Sequence, residues 1–244
     1  MCYNLSYREP DAQKLHTRYA HLLPPPALPL DLPTYYFVSG FDHPALPVIK
    51  HDRIELNEWG LIPFWVKDAE AAKKLKAQTL NAVGETLFDK PAYRDCMMKQ
   101  RCLIPVDGFI EWRDLNKAKY PHYITVKSNE IFSLGGIYST WTDKSTGEIK
   151  TSFAVITTPA NPMMQKIHNL KQRMPLIIAQ TDESKWIDRD LSKNEIQSLI
   201  KPYDESDMQA YTISKYVNNP RNDRNIPEIL NEVRYPELNE ATLF

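Results

Sequence analysis

Apolar residues recur along the chain with two different spacings, which together predict a mixed structure rich in β-strands. Runs of branched and aromatic residues indicate strands at 34–39, 53–59, 101–112, 121–127, 131–141, 151–158 and 174–179. Helix-forming composition and spacing indicate helices at 11–22, 68–80, 160–168, 182–189 and 193–200. Because many strands are joined by short turns, we predict one α+β domain built around antiparallel sheet.

The C-terminal part of the chain has a different composition. Beyond about residue 216 it is polar and rich in Pro and Asn. We therefore predict a domain over residues 1–215 and a tail over residues 216–244 that is packed on the surface or flexible. No internal repeat or low-complexity linker divides the chain into folded halves.

Composition narrows the classes of function. The net charge of −1 provides no global positive field, so any contact with nucleic acid needs a local cluster of Lys and Arg. No apolar run approaches the ~20 residues that span a bilayer, and the N-terminus lacks the features of an export signal. Three cysteines, a low and odd number, argue against a disulfide scaffold. We expect a cytoplasmic protein with no membrane partner.

Cys2 is the first candidate for chemistry. Removal of Met1, which a small second residue favours, would expose an α-amine and a thiol on adjacent carbons. Their reference pKa values, about 7.7–8.0 and 8.5, leave part of each population reactive near pH 7. Such a pair can close on an aldehyde to give a thiazolidine, or its thiolate can attack an amide or ester. The plain alternative is an incidental residue in a frayed terminus.

Three further residues are candidates for proton transfer or orientation. Glu111 ends an apolar strand, where a carboxylate is costly unless it is paired or used, so it is either a catalytic group or half of a structural ion pair. His168 lies between a helix and a strand, in a position suited to proton transfer or to a surface role. Asn81 begins a turn-forming segment and could orient an amine or cap a helix. Cys102 alternates with apolar neighbours and is assigned to the core.

Metal and cofactor sites are not indicated. Cys96 and Cys102 have no second close pair of ligands, and the six histidines are scattered. The sequence has neither a phosphate-binding glycine loop nor a dinucleotide fingerprint. We expect no metal and no cofactor.

An ordered set of short motifs carries a resemblance to a known family. The motifs are Met1-Cys2; Ser39-Gly-Phe-Asp-His-Pro with Pro47-Val-Ile; Trp59-Gly-Leu-Ile-Pro-Phe-Trp; Asn81-Ala-x-x-Glu-Thr; Cys102-Leu-Ile-Pro-x-Asp-Gly-Phe-x-Glu-Trp; Ala160-Asn; Ile167-His168; and Arg173-Met-Pro. In this order, over roughly residues 1–180, they resemble the SOS-response-associated peptidase (SRAP) family, which forms covalent crosslinks to abasic DNA.

The resemblance implies a single α+β domain of curved, mainly antiparallel, barrel-like sheet with peripheral helices, so that residues 1–215 become a catalytic domain. It also implies that Cys2, Asn81, Glu111 and His168 share one cleft. There the amine and thiol of Cys2 would trap the aldehyde of an abasic site in single-stranded DNA. Asn81 would hold the amine, Glu111 would shuttle protons, and His168 would assist ring opening and reversal. The DNA damage response, including the SOS response, would be its setting.

Departures from the family concern DNA contacts. Many members carry Arg at the positions of Asn4 and Val83, and four residues, 169–172, separate His168 from the Arg173 motif, a longer spacing than many relatives have. Arg94 and Arg173 remain candidate phosphate contacts. We therefore expect weaker, less salt-sensitive DNA binding than in Arg-rich relatives.

Aromatic residues supply the remaining DNA candidates. Trp65, with Phe64 and Pro44, could wedge between bases or stack on a strand end; packing is the alternative. Trp59 is assigned to the core.

Three functions remain in competition. The first is a DNA-repair enzyme that crosslinks abasic sites, with single-stranded DNA as partner and lyase-like character. The second is a cysteine-dependent peptidase or autoprocessing hydrolase, with Cys2 as the N-terminal nucleophile. The third is a non-catalytic single-strand binding module. Because no heptad pattern or interface helix is evident, we expect a monomer.

Overall fold

The computed structural model describes residues 2–24 and 30–240 and forms an α+β domain there. The strands are β1 Asn4–Tyr7, β2 Tyr35–Ser39, β3 Ala45–Ile49, β4 Ile54–Trp59, β5 Asn81–Val83, β6 Arg101–Val106, β7 Gly108–Leu115, β8 Ala118–Val126, β9 Phe132–Thr142, β10 Ile149–Pro159, β11 Arg173–Pro175, β12 Ile177–Ile178 and β13 Met208–Thr212. The α-helices are α1 Ala12–Arg18, α2 Ala69–Lys76, α3 Arg94–Met97, α4 Pro162–Ile167, α5 Glu183–Ile187, α6 Lys193–Leu199 and α7 Pro236–Glu240.

Five strands close into a barrel. Their order is β10-β4-β3-β6-β9, and β9 pairs with β10 to complete the ring. All of these pairs are antiparallel except β4 with β10. β5 and β11 extend the C-terminal half of β10, and β12 pairs with β9. The expected class, an α+β domain of curved and mainly antiparallel sheet, is confirmed.

A second, five-stranded antiparallel sheet carries the N-terminus. Its order is β13-β8-β7-β1-β2. β1 lies between β2 and β7, with Leu5 opposite Phe109 and Ser6 opposite Gly108. Continuing this register brings Tyr3 alongside Glu111. Because β1 is a central strand, Cys2, two residues before it, lies inside the molecule.

Large apolar side chains from both sheets form the main core. Trp59 is fully buried, stacks against Phe153 with ring centroids 6.0 Å apart, and donates its indole N–H to the Leu80 carbonyl at 2.8 Å. The side chain of Cys102 is also fully buried. The assignment of Trp59 and Cys102 to the core is confirmed.

The chain passes from the barrel to the second sheet at Asp107. The prediction of a single strand at 101–112 is therefore wrong, because two strands, β6 and β7, occupy this segment. The Asp107 backbone N–H bonds to the Ser6 carbonyl, and its carboxylate accepts the hydroxyls of Ser6 and Tyr123 at 2.5 and 2.9 Å. Gly108 follows, where a Cβ would lie 2.2 Å from the Tyr123 ring. A continuous apolar run hides this change of sheet.

Other differences concern short elements. The predicted strand at 174–179 is two pieces, β11 and β12, which pair with β10 and β9 respectively. Strands β1, β3, β5 and β13 and helices α3 and α7 were not predicted. The segment 81–83, predicted as a turn, is strand β5 because it pairs with β10. These elements are fixed by their partners rather than by their own composition.

Residues 216–240 lie against the second sheet. Val217, Ile229 and Leu230 form a small cluster with Phe37 and Ile110. The boundary proposed at residue 215 stays a prediction, and the last four residues of the predicted tail lie outside the described residues. In the described part of the chain, no helix has both the length and the apolar composition needed to cross a membrane.

Candidate functional site

Cys2 is enclosed within the fold. Its side chain is fully buried just before β1, and the Asn4 backbone N–H donates a hydrogen bond to its sulfur. Burial, and then the nearby Glu111 carboxylate, raise the pKa of the thiol well above its usual range. The thiol is therefore protonated near neutral pH, so the thiolate fraction is smaller than an exposed cysteine would have. The frayed-terminus alternative does not apply to this residue.

Glu111 projects from β7 into the same buried region. Its side chain is 5% exposed, and burial raises its pKa to about 8. The Trp112 backbone N–H bonds to the carboxylate. Oxygen Oε1 has no hydrogen-bond partner among the described residues. Glu111 is thus a carboxylic acid that keeps its proton at neutral pH and has one oxygen free for a ligand.

His168 faces Glu111. It follows α4, and its Nδ1 lies 2.9 Å from the Arg173 carbonyl. Since a carbonyl only accepts, Nδ1 carries the proton and Nε2 is left as the acceptor. Nε2 lies 3.8 Å from Oε2 of Glu111. Burial lowers the pKa of His168, so the imidazole is neutral near pH 7.

Asn169 fixes the loop that carries His168. Its side-chain amide donates to the Asp114 carbonyl at 2.8 Å and accepts the Asp114 N–H at 3.0 Å. The amide therefore bonds to the β7 backbone as a neighbouring strand would, beyond the residues of β7 that pair with β1 and three residues from Glu111. In the sequence, Asn169 was only part of the spacing between His168 and the Arg173 motif. Nothing about an Asn at this position indicated a hydrogen bond with Asp114.

Asn81 lies at the start of β5 with a buried and unsatisfied amide. Its side chain is 7% exposed, and neither Oδ1 nor Nδ2 has a partner among the described residues. Its backbone carbonyl accepts the Tyr93 hydroxyl at 3.1 Å. Tyr93 lies within electrostatic reach of Tyr3, the residue after Cys2. A buried amide without partners is costly unless a ligand satisfies it.

The structure thus places Cys2 and His168 each near Glu111. Asn81 is connected to this group less directly, through its backbone hydrogen bond with Tyr93, which lies within electrostatic reach of Tyr3. Burial raises the pKa of the Tyr3 hydroxyl most, and the nearby Glu111 and Cys2 raise it further. Tyr3 is thus close to both groups. The amide of Asn81 forms no hydrogen bond with the other three side chains. Sequence reasoning missed Tyr3 because an aromatic residue next to Cys2 carries no signature of its own.

The candidate DNA contacts differ in how available they are. Trp65 is 46% exposed in the loop between β4 and α2, and Phe64 beside it is 58% exposed. Pro44 is half-buried just before β3, where its carbonyl accepts the Trp59 N–H at 2.9 Å. Arg94 is exposed at the start of α3, with Asp95 3.6 Å away. These side chains lie where a ligand on the surface could contact them.

Arg173 is already engaged. Its guanidinium forms a two-point ion pair with Glu85, one bond of which is 2.8 Å, and donates to the Thr157 carbonyl at 2.7 Å. Its side chain is 17% exposed. Arg173 can contact a phosphate only in competition with Glu85. The sequence could not reveal this pair because the two residues lie on separate segments.

No metal centre is formed in the described ranges. Across residues 2–24 and 30–240, no three His, Cys, Asp or Glu side chains are grouped to hold an ion. Cys2, Cys96 and Cys102 are all buried and free.

Comparison with known proteins gives consistent matches. The family model described as "SOS response associated peptidase (SRAP)" matches residues 31–220. The abasic site processing protein YoqW of Bacillus subtilis is 38% identical over 182 residues, which are 74% of this chain and 77% of that protein. The abasic site processing protein HMCES of Xenopus tropicalis is 28% identical over 86% of this chain and 70% of that protein.

Solved structures agree with this likeness. A crystal structure of a protein from Bacteroides thetaiotaomicron is similar with a TM-score of 0.86 and 38% identity, covering 96% of this chain and all of that one. A protein from Bordetella bronchiseptica, 19% identical over 87% of this chain, shares the fold with a TM-score of 0.72.

Proposed function

This chain belongs to the SOS response associated peptidase family, and from that premise we propose that it processes abasic sites in DNA by forming a covalent thiazolidine between Cys2 and the lesion in single-stranded DNA. The observation that carries the proposal is the burial of Cys2 beside a protonated Glu111 that faces His168 across 3.8 Å. Relatives at 38% identity that are named abasic site processing proteins support the substrate class.

The proposed reaction begins at the amine. Met1, which lies outside the described residues, is removed, and the neutral α-amine of Cys2 attacks the C1′ aldehyde of the ring-opened sugar. The carbinolamine loses its hydroxyl as water, with the proton supplied by Glu111, and an imine remains. The Cys2 sulfur then bonds to the imine carbon while the thiol proton moves to the nitrogen. One water leaves, and no redox partner is needed.

The protonation states support this order. A buried, protonated thiol is a poor first nucleophile, so the amine attacks and the sulfur closes the ring on an electrophile already bound. Glu111, protonated at neutral pH, is an acid at the step that expels water. His168 offers a neutral acceptor, Nε2, for the sugar hydroxyl proton in ring opening and in reversal. Asn81 holds the amine with its unsatisfied amide.

The peptidase alternative is less well supported by the site. A cysteine hydrolase needs an accessible thiolate. Here burial raises the pKa of the Cys2 thiol, and Nε2 of His168 faces Glu111. A single-strand binding module with no chemistry gives no reason for the buried Oε1 of Glu111 and the buried amide of Asn81, neither of which has a hydrogen-bond partner among the described residues. We further propose that the protein acts as a cytoplasmic monomer, for which three free buried cysteines fit a reducing compartment.

The deciding experiment compares two replacements of Cys2. Purified protein is incubated with an oligonucleotide bearing one abasic site and analysed by intact mass and denaturing gel. The wild type should gain the oligonucleotide mass minus one water. Cys2→Ser keeps the amine and should give an adduct that survives only after borohydride reduction. A residue added before Cys2 converts its α-amine into an amide, so it should abolish the stable adduct and, in the Cys2→Ser background, the borohydride-trapped adduct.

Cys96→Ala is the matched control, since it removes another buried free thiol and should leave the adduct unchanged. A stable adduct on Cys2→Ala would refute the thiazolidine. Turnover of peptide substrates by the wild type, without any DNA adduct, would favour the hydrolase instead.

A further inference from the structure

Phe41 is an exposed aromatic residue that the chemistry proposed above does not use. It lies in the 3-10 turn Gly40–Asp42 between β2 and β3, and its side chain is 60% exposed. A single apolar side chain on a surface needs no explanation by itself. The contacts of this side chain, however, connect it to the reactive centre.

The Phe41 ring packs on Tyr3. The two ring centroids are 4.8 Å apart with planes tilted by 38°. Tyr3 directly follows Cys2, and its hydroxyl is within electrostatic reach of Cys2 and Glu111. Phe41 therefore packs on the residue that directly follows the cysteine proposed to bond the lesion.

The turn is held firmly. The Gly40 N–H bonds to the Tyr3 carbonyl at 2.8 Å, and the Ser39 hydroxyl accepts the Phe41 N–H at 3.3 Å. A Cβ at residue 40 would lie 3.0 Å from the Trp59 indole, so glycine allows the turn to sit directly on the core. A phenyl ring fixed in this way loses little further freedom when a ligand covers it.

The arginines predicted to contact DNA each lie beside an acidic residue, so a non-ionic contact would add to the affinity for DNA. Arg173 is paired with Glu85, and Arg94 lies beside Asp95. Asp42, next to Phe41, is itself acidic and exposed. Stacking on an aromatic ring is worth a substantial part of single-strand binding and does not depend on cations.

We propose that Phe41, supported by Tyr3, is a stacking platform for the base of the nucleotide adjacent to the abasic residue. This rests on the proposed function, because the adjacent base reaches Phe41 only when the abasic sugar is at Cys2. Any of the four bases can bind, since each has a π-face and a phenyl ring reads no base edge.

The test is a double-mutant cycle between the protein and the DNA. The probe is a single-stranded oligonucleotide carrying tetrahydrofuran, an abasic analogue without an aldehyde, so that only non-covalent binding is measured. In a second and a third probe the flanking base on the 5′ or the 3′ side is also replaced by tetrahydrofuran. Each probe is titrated with wild type, Phe41→Ala and Phe41→Leu.

Phe41→Ala should weaken binding about tenfold or more when both flanking bases are present. This loss of affinity should nearly vanish for one of the two probes that lack a flanking base, and that probe identifies the side on which the base stacks. The affinity of Phe41→Leu should lie between those of the wild type and Phe41→Ala. The control is Ile149→Ala, which removes another exposed apolar side chain, 67% exposed at the hairpin end of β10, and should change nothing.

An equal loss on all three probes, or no loss on any, would overturn the platform. True abasic DNA, tested in parallel, separates this result from the proposed function. If the wild type forms the stable adduct but the cycle shows no coupling, only the platform fails. If no adduct forms, the crosslinking proposal fails whatever the cycle shows. Since Phe41 is exposed, its replacements should keep the circular dichroism spectrum of the wild type.

Discussion

Glu111 and His168 face each other across 3.8 Å, Oε2 to Nε2, and both groups are uncharged near neutral pH. Burial raises the pKa of the carboxyl to about 8 and lowers that of the imidazole. At the surface the same residues would form a charged pair at pH 6. In this site they are instead a neutral acid and a neutral base side by side, which suits proton transfer in both directions.

The first prediction concerns the pH dependence of crosslinking. The single-turnover rate should rise as the α-amine, with a reference pKa of about 7.7–8.0, loses its proton. It should fall again as Glu111 loses its proton at a pKa of about 8. The profile between pH 5.5 and 9 should therefore be bell-shaped.

Glu111→Gln should lower the rate by about a hundredfold or more and remove the falling limb. His122→Gln is the control, because His122 lies opposite Glu111 on β8 and the proposed reaction does not use it. A wild-type rate that keeps rising up to pH 9 would contradict the assignment of Glu111 as the acid.

The second prediction concerns stability. Below pH 4.5 Glu111 is protonated in both the folded and the unfolded state. Between pH 4.5 and about 8 the unfolded state loses this proton while the folded state keeps it, so the folded state becomes less stable as pH rises. Glu111→Gln should remove this decline.

The free energy of unfolding of Glu111→Gln, relative to wild type, should thus increase by up to about 1.4 kcal/mol per pH unit across that window and level off above it. Urea titrations at pH 4.5, 6, 7 and 8.5 measure the difference. A gap that stays constant with pH would show that Glu111 is ionised in the folded protein.

The third prediction concerns Asn169, which positions His168. Asn169→Ala removes both hydrogen bonds to the Asp114 backbone and so releases the loop that carries His168 from β7. The crosslinking rate at saturating DNA should fall about tenfold, because a misplaced imidazole slows ring opening. Affinity for the tetrahydrofuran oligonucleotide should not change.

Asn225→Ala is a matched control, because the Asn225 side chain also bonds to backbone, accepting the Tyr36 N–H at 2.8 Å. It should cost similar stability and leave the rate intact. If Asn169→Ala lowered affinity and left the rate unchanged, Asn169 would be a DNA contact rather than a positioning residue.

The fold was predictable where a strand's own residues determine it. The run at 151–158 was recognised from its branched side chains and is the centre of β10. The change of sheet at Asp107 was not, because it depends on Ser6 and Tyr123, which are distant in sequence. Likewise β5 is strand only because β10 lies beside it.

The candidate site shows the same division. The sequence indicated Glu111 as a candidate, since a carboxylate at the end of an apolar strand needs a reason to be there. The burial of Cys2 was not indicated, because it follows from β1 lying between β2 and β7. Nor could the sequence show that Glu85 neutralises Arg173. Residue types suggest the chemistry, whereas availability and pKa depend on tertiary contacts.

The last prediction concerns the salt dependence of DNA binding. Of the two arginines predicted to contact phosphate, Arg94 and Arg173, the second is paired with Glu85, and Asn4 and Val83 are uncharged. The slope of log K against log salt should therefore be shallow. Glu85→Gln releases Arg173 and should steepen the slope by about 0.7, the value for one added phosphate contact on a single strand.

Arg173→Gln in the Glu85→Gln background should return the slope to its wild-type value, which identifies the released cation. Glu148→Gln, which breaks an ion pair with Lys150 at the hairpin end of β10, should have no effect. A steep wild-type slope would mean that other lysines or arginines contact the DNA backbone. An unchanged slope in Glu85→Gln would mean that Arg173 serves the fold alone, holding β11 against Thr157 of β10.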